Sequence, residues 1–253
     1  REVRDRMSRN DRDTNVKQDT MEKMRNSEAV FVILSDYTHM PYVACDPKTF
    51  DDQVFLYFKE DDAKEAVRRF AGNQESTRAA KLEKNGFLAF YTNLFAMGVN
   101  CIKMNQGTSQ EVDVQLGELV RRPEADKLPQ GQVRIENPEL HLTALYYMQE
   151  LRKSQDGGTD QLKELNEELM IHFKEGRYIV AVQEGQGIPM LQKEGKIYQP
   201  LFTDFQEFQK FNREKKFKTA IVEAGKITEF LSSQAVGVVI NPMGVNLLLN
   251  IAR

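Results

Sequence analysis

Residues 30–43, VFVILSDYTHMPYV, and residues 178–191, YIVAVQEGQGIPML, share one pattern. Each is an apolar run, a polar turn and an apolar-Pro pair, Met40-Pro41 in the first and Ile188-Pro189 in the second. They align without a gap at a spacing of 148 positions (30 to 178). Similarity at a fixed spacing implies one structural unit used twice.

Two further blocks extend the repeat. YFKEDDAKEAVRRF (57–70) answers to LFTDFQEFQKFNREKKF (201–217), with Phe58 on Phe202 at a spacing of 144. Each reads as a strand end, acidic helix-start residues and a helix. Thr203 or Asp204 can cap the second helix with Gln206 or Glu207 three residues on, and Asp62 with Glu65 offers the same pairing in the first. In the third block two registers compete. Met97-Gly98-Val99-Asn100 recurs as Met243-Gly244-Val245-Asn246, but Gly86 and Gly98 also match Gly225 and Gly237 at a spacing of 139. The glycine register is preferred, because each pair brackets an apolar segment, FLAFYTNLFAM or KITEFLSSQAV, that reads as a helix with glycine at its exit. The spacing then falls steadily, as longer loops in copy one require.

A chain of 253 residues accommodates two modest domains. Hydrophobic residues at 40% and charged residues at 29% suit globular domains with a solvated surface. A net charge of −3 argues against nucleic acid as a partner. Apolar runs such as AVFVIL (29–34) fall far short of the ~18 residues that span a bilayer, so no membrane insertion is expected. The start shows no signal-peptide pattern, and its first residue is Arg, so a missing native N-terminus is allowed for. Cys45 and Cys101 form no CxxC, and a reducing, cytoplasmic setting is expected.

Val16, Met21 and Met24 give residues 1–28 a sparse helical stripe, and Leu162, Leu165, Leu169, Met170 and Phe173 give copy two a stronger one. A module then reads helix, hairpin-like strands, strand, helix, strand, helix, strand. Copy one spans 12–105 and copy two 159–250, with a helical connector and linker over 106–158. In the connector, Ser109 can cap a helix bearing Val112, Leu116, Leu119 and Val120, and VRI (133–135) reads as a short strand. Asn137-Pro138 starts a helix running to Ser154, followed by the linker Gln155-Asp156-Gly157-Gly158. The fold class is α+β: two similar modules, each a small mixed sheet covered by helices.

In copy two, IPMLQKEGKIYQPLFTD (188–204) and GVVINP (237–242) resemble the N-terminal domain of the SseB family. The resemblance covers about 178–245. Copy one departs from it, with Phe58-Lys59-Glu60 for Phe-Thr-Asp and no Asn-Pro after Val99-Asn100-Cys101-Ile102. The resemblance implies a fold and supplies no catalytic residues.

Chemistry-bearing groups are few. His39, with Asp36, Cys45 and Asp46, has metal-ligating types, but copy two puts Glu184 and Gly187 in the places of Asp36 and His39, and turn residues explain them. His141 near Glu139 and His172 near Glu168 read as helix-surface contacts. Gly185-Gln186-Gly187 reads as a hairpin turn, Phe205, Phe208 and Phe211 as core, and Glu214-Lys215-Lys216 as a solvated face. Tyr146, Tyr147 and Met148 fit either packing between the modules or a partner surface. No catalytic, metal or cofactor residue is assigned. The expectation is a non-enzymatic cytoplasmic protein with an interaction or regulatory role and an unknown protein partner. The alternative is an enzyme or small-ligand binder using a cleft between the modules.

Overall fold

The computed structural model describes residues 2–124, 127–153 and 159–252, with side chains from residue 13 onward. The linker read at residues 155–158, and the helix end at Ser154, lie outside the described residues. The chain is a mixed α/β protein that divides into two compact units. Unit 1 comprises Arg1–Asp36, Pro41–Phe95 and Val99–Arg122, and unit 2 comprises Tyr37–Met40, Ala96–Gly98 and Pro123–Arg253.

Unit 1 begins with helix α1 (Glu2–Asn26), whose sparse stripe buries Met24 but leaves Val16 half exposed. Strands β1 (Ala29–Ser35), β2 (Ala44–Cys45) and β3 (Asp52–Tyr57) follow, then helix α2 (Glu60–Gly72), β4 (Thr77–Glu83) and helix α3 (Phe87–Ala96). Strands β5 (Cys101–Met104) and β6 (Val112–Gln115) and the single turn α4 (Leu116–Leu119) complete it. The sheet order is β4-β1-β3-β5-β6, with β2 paired to β3. Only β3 and β5 run parallel. On one face Ile33, Phe55 and Tyr57 pack with Ala63, Ala66 and Phe70 of α2, which is the apolar stripe of that helix.

Unit 2 contains helices α5 (Pro138–Lys153) and α6 (Asp160–Glu175), then β7 (Arg177–Val182), β8 (Leu191–Lys193) and β9 (Lys196–Leu201). Helix α7 (Phe205–Phe211), β10 (Lys218–Glu223), the turn α8 (Ile227–Phe230), β11 (Gly237–Ile240) and β12 (Leu247–Asn250) follow. β10 pairs with β7, β8 with β9, and β11 with β12, all antiparallel, while β9 and β11 are parallel. A bridge between Ile179 and Phe202 joins β7 to β9. Glu194 and Gly195, both at positive φ, make the tight β8–β9 turn.

Strand for strand, the pairings of the two units correspond. Phe31↔Tyr57 matches Ile179↔Phe202, and Phe31↔Lys81 matches Ile179↔Ile221. Gln53↔Cys101 matches Tyr198↔Gly237. The spacings are therefore 148 (31 to 179), 145 (57 to 202), 140 (81 to 221) and 136 (101 to 237). They fall as expected, but the glycine register is wrong. Gly237 takes the place of Cys101, not Gly98, and Gly225 takes the place of Asn85 in the 3-10 turn Lys84–Gly86. The repeated tetrapeptide is out of register too, by ten positions.

The correct marker is an asparagine. Asn105 and Asn241 both lie in the left-handed region, at φ 52° and 49°. Their amides donate to the carbonyls of Leu56 and Leu201. Their Oδ1 atoms accept from the amides of Phe58 (3.2 Å) and Thr203 (3.0 Å). Asparagine tolerates this conformation and fastens the parallel strand end to the start of the next helix. Unit 1 thus has an asparagine where unit 2 has Asn241, with Gln106 in the place of Pro242.

Other corrections have local causes. Residues 112–115 form β6 instead of the helix expected after Ser109: VDVQ alternates, and it completes the sheet against β5. Val133–Ile135 is irregular, with Ile135 buried and Val133 exposed. Asp62 does not cap α2; Lys59 holds the cap position without a side-chain bond, whereas Asp204 does cap α7. The helix read over KITEFLSSQAV stops after one turn. Ser232 diverts the chain there, its carbonyl accepting from Ala235 and its Oγ from Gln234.

Candidate functional site

Local turns and pairs position most of the residues singled out by sequence. His39 sits in a turn at φ 57°. Asp36 accepts from Ser76 and Arg78, and Asp46 closes an Asx turn onto the amides of Lys48 and Thr49. Cys45 is exposed and Cys101 buried, both as free thiols. Among the described residues no group of three His, Cys, Asp or Glu is placed to hold a metal. His172 meets Glu168 at 3.4 Å, one helical turn away, as its spacing implies. Gly187 bridges back to Gln183, closing the expected turn. Phe208 is core and Phe211 packs on it, but Phe205 is half exposed. Tyr146 and Tyr147 are half-buried and Met148 is buried on α5.

His141 corrects its surface assignment: it is 1% exposed and turns away from solvent. Its Nδ1 lies 3.5 Å from Asp204 Oδ2 and 3.4 Å from Thr203 Oγ1. Thr203 donates to Asp204 (2.8 Å) and accepts from Asn241 Nδ2 (2.8 Å). Asp204 Oδ1 accepts from the Glu207 amide, and Asn137 Nδ2 donates to the carbonyls of Arg177 and Thr203. The types are those of a nucleophile, base and orienter, but Thr203 donates to the carboxylate, and Thr203, His141 and Asp204 are each at most 2% exposed. The arrangement ties α5, α7 and β11 together. Burial pushes the Asp204 carboxyl up, yet His141, the Glu207 amide and Thr203 more than offset this and hold it below its ordinary 3.8. Its stabilising contribution is thus present above that value and lost as the pH falls through the folded one. In urea titrations, the stability gap between the native chain and Asp204→Asn is expected to shrink as the pH falls below about 4.

The surface feature with most chemical character lies in unit 1, between α2 and β4. β4 is the terminal strand of its sheet. A groove of about 650 Å³ runs beside it. Phe31, Val67 and Ala79 make an apolar floor, and Lys64, Arg68, Arg78 and Lys81 line it with a single carboxylate, Glu60. The spacing of Glu60, Lys64 and Arg68, four residues each, places all three on one face of α2. Thr77 also lines the groove, and its Oγ1 is buried with no hydrogen-bond partner among the described residues. Unit 2 ends one ladder in the equivalent way, with β10 paired, among the described residues, to β7 alone. A second depression of about 570 Å³ in unit 2, near Arg134, Asn137 and Arg177, mixes both signs of charge, with Glu136, Glu139 and Glu175. Sequence reasoning missed the α2–β4 groove, although the α2 charge spacing was visible. Among the described residues no helix is long and apolar enough to cross a membrane.

No family model matches this chain, and no curated protein does. Among solved structures, Tic22 from Plasmodium falciparum is 15% identical, with 86% of this chain and 90% of that chain covered, at a TM-score of 0.23. Anabaena Tic22, described as a protein-transport protein, is 12% identical over 88% of this chain and 92% of its own, also at 0.23. At that level of agreement neither says which fold or activity this chain has.

Proposed function

We propose that this chain is a non-enzymatic polypeptide-binding protein with an interaction or regulatory role, built from two related modules that leave sheet edges open to partners. The observation that carries this reading is the terminal strand β4 with its chemically distinct groove. An exposed edge presents unpaired amides and carbonyls, to which an extended segment adds as a further strand. Charged residues on the edges, Arg78, Lys81 and Glu83 on β4 and Lys218 and Glu223 on β10, discourage indiscriminate pairing and so select the partner. Corresponding ladders in the two units support a tandem origin, and the SseB-like pattern of residues 188–204 and 237–242 belongs to the same proposal. The partner is a protein, not nucleic acid, and the setting is cytoplasmic, in keeping with two free thiols.

The test is photo-crosslinking in the native host from a reactive residue placed at Lys81, Thr219 or, as control, Lys163. Adducts are expected from the two edge positions and not from the α6 surface. Equal labelling from all three positions, or none from the edges, contradicts the reading.

A further inference from the structure

We propose that the α2–β4 groove binds an extended acidic segment of a partner polypeptide, seated as an added strand along β4. This deepens the open-edge reading and rests on it.

The backbone supplies the template. β4 pairs with β1 over its whole length, Thr77 to Glu83, and its other edge has no strand partner among the described residues. A segment laid there gains main-chain hydrogen bonds irrespective of its sequence, and the groove then decides which sequence stays.

Charge decides the class. Four cations and one carboxylate line the groove of a chain whose net charge is −3. Each cation already has an acid partner: Lys64 with Glu60 (2.8 Å), Arg68 with Glu65, Arg78 with Asp36 (2.7 Å) and Lys81 with Glu83 (2.8 Å). Three of those four carboxylates lie outside the lining. The cationic side chains are 43–69% exposed, and such surface pairs are weak, so an incoming carboxylate exchanges for a resident one at little cost.

Spacing favours an extended occupant. Lys64 and Arg68 are one turn apart, about 6 Å along α2. Alternate side chains of an extended segment are about 6.6 Å apart. Acids at every second position therefore meet both cations, while the residues between them fall on the opposite face beside Ala80 and Leu82. The methylene stems of glutamate cover Phe31, Val67 and Ala79.

The test is fluorescence anisotropy with the full chain and a short synthetic peptide of alternating glutamate and valine. Two controls carry lysine for glutamate, or N-methyl groups that block strand pairing. Binding is expected for the first peptide alone and should weaken with salt. The Lys64→Gln/Arg68→Gln variant should bind about tenfold more weakly at a nearly unchanged melting temperature. No binding, equal binding of either control, or no loss in the variant overturns the proposal. Self-association of the chain that this variant abolishes also overturns it, by assigning the groove to a second copy. If the peptide fails while crosslinks from position 81 persist, the partner class is wrong and the open-edge reading stands; loss of both removes that reading as well.

Discussion

Gly237→Ala is expected to be among the most damaging single substitutions in this chain. A Cβ built there falls 1.9 Å from the carbonyl oxygen of Leu249 and 2.9 Å from the Asn250 Cα. Both are backbone atoms of β12, the strand paired to β11 at this position. No rotamer relieves such a contact, so the two strands must part. On the other side Gly237 pairs with Tyr198 of β9, which leaves the strand no room to retreat. Overpacking of this kind costs about 3 kcal/mol or more, at the upper end of small-to-large substitutions. Urea denaturation read by circular dichroism measures it. A loss below about 1 kcal/mol would mean that β12 is not held against β11 as closely as described. The equivalent position in unit 1 is Cys101, a fully buried residue with a side chain, so the demand for glycine is particular to unit 2.

Leu145→Ala should destabilise by about 2–5 kcal/mol. Leu145 has no solvent exposure and lies on the buried stripe of α5 with Leu140, Ala144 and Met148. Truncation removes apolar burial and leaves a cavity that a helix packed along α6 cannot close by side-chain motion alone. The same denaturation experiment reads it. Tyr147→Ala, at a half-buried position of the same helix, is the internal comparison and should cost less.

How much of this was legible in the sequence depends on the kind of interaction that decides each element. The Asn137-Pro138 helix start, the Asp204 cap and the α2 and α3 helices are set by local chemistry and were readable. The third repeat block was misread because glycines were taken as its markers. Asn105 and Asn241 are fixed by bonds to Phe58 and Thr203, far away in sequence, and nothing local distinguishes them from surface asparagines. Strand β6 and the short α8 went astray for a related reason. Pairing with β5 overrode a possible helix in one, and serine side chains overrode apolar spacing in the other. His141 looked like a surface residue because its partners, Thr203 and Asp204, are about sixty positions away. The groove was hidden for a further reason. Lys64, Arg68 and Lys81 read individually as solvated charges, and only the sheet order shows that β4 is an edge.

The central claim is that a partner segment joins the sheet at β4. Hydrogen exchange of the full chain, with and without the alternating glutamate-valine peptide, tests it most directly. Amides of β4 that face away from β1 should exchange markedly more slowly when the peptide is bound, together with changes at Lys64 and Arg68 on α2. Unchanged exchange along Thr77–Glu83 under saturating peptide, with protection appearing elsewhere, would contradict the account.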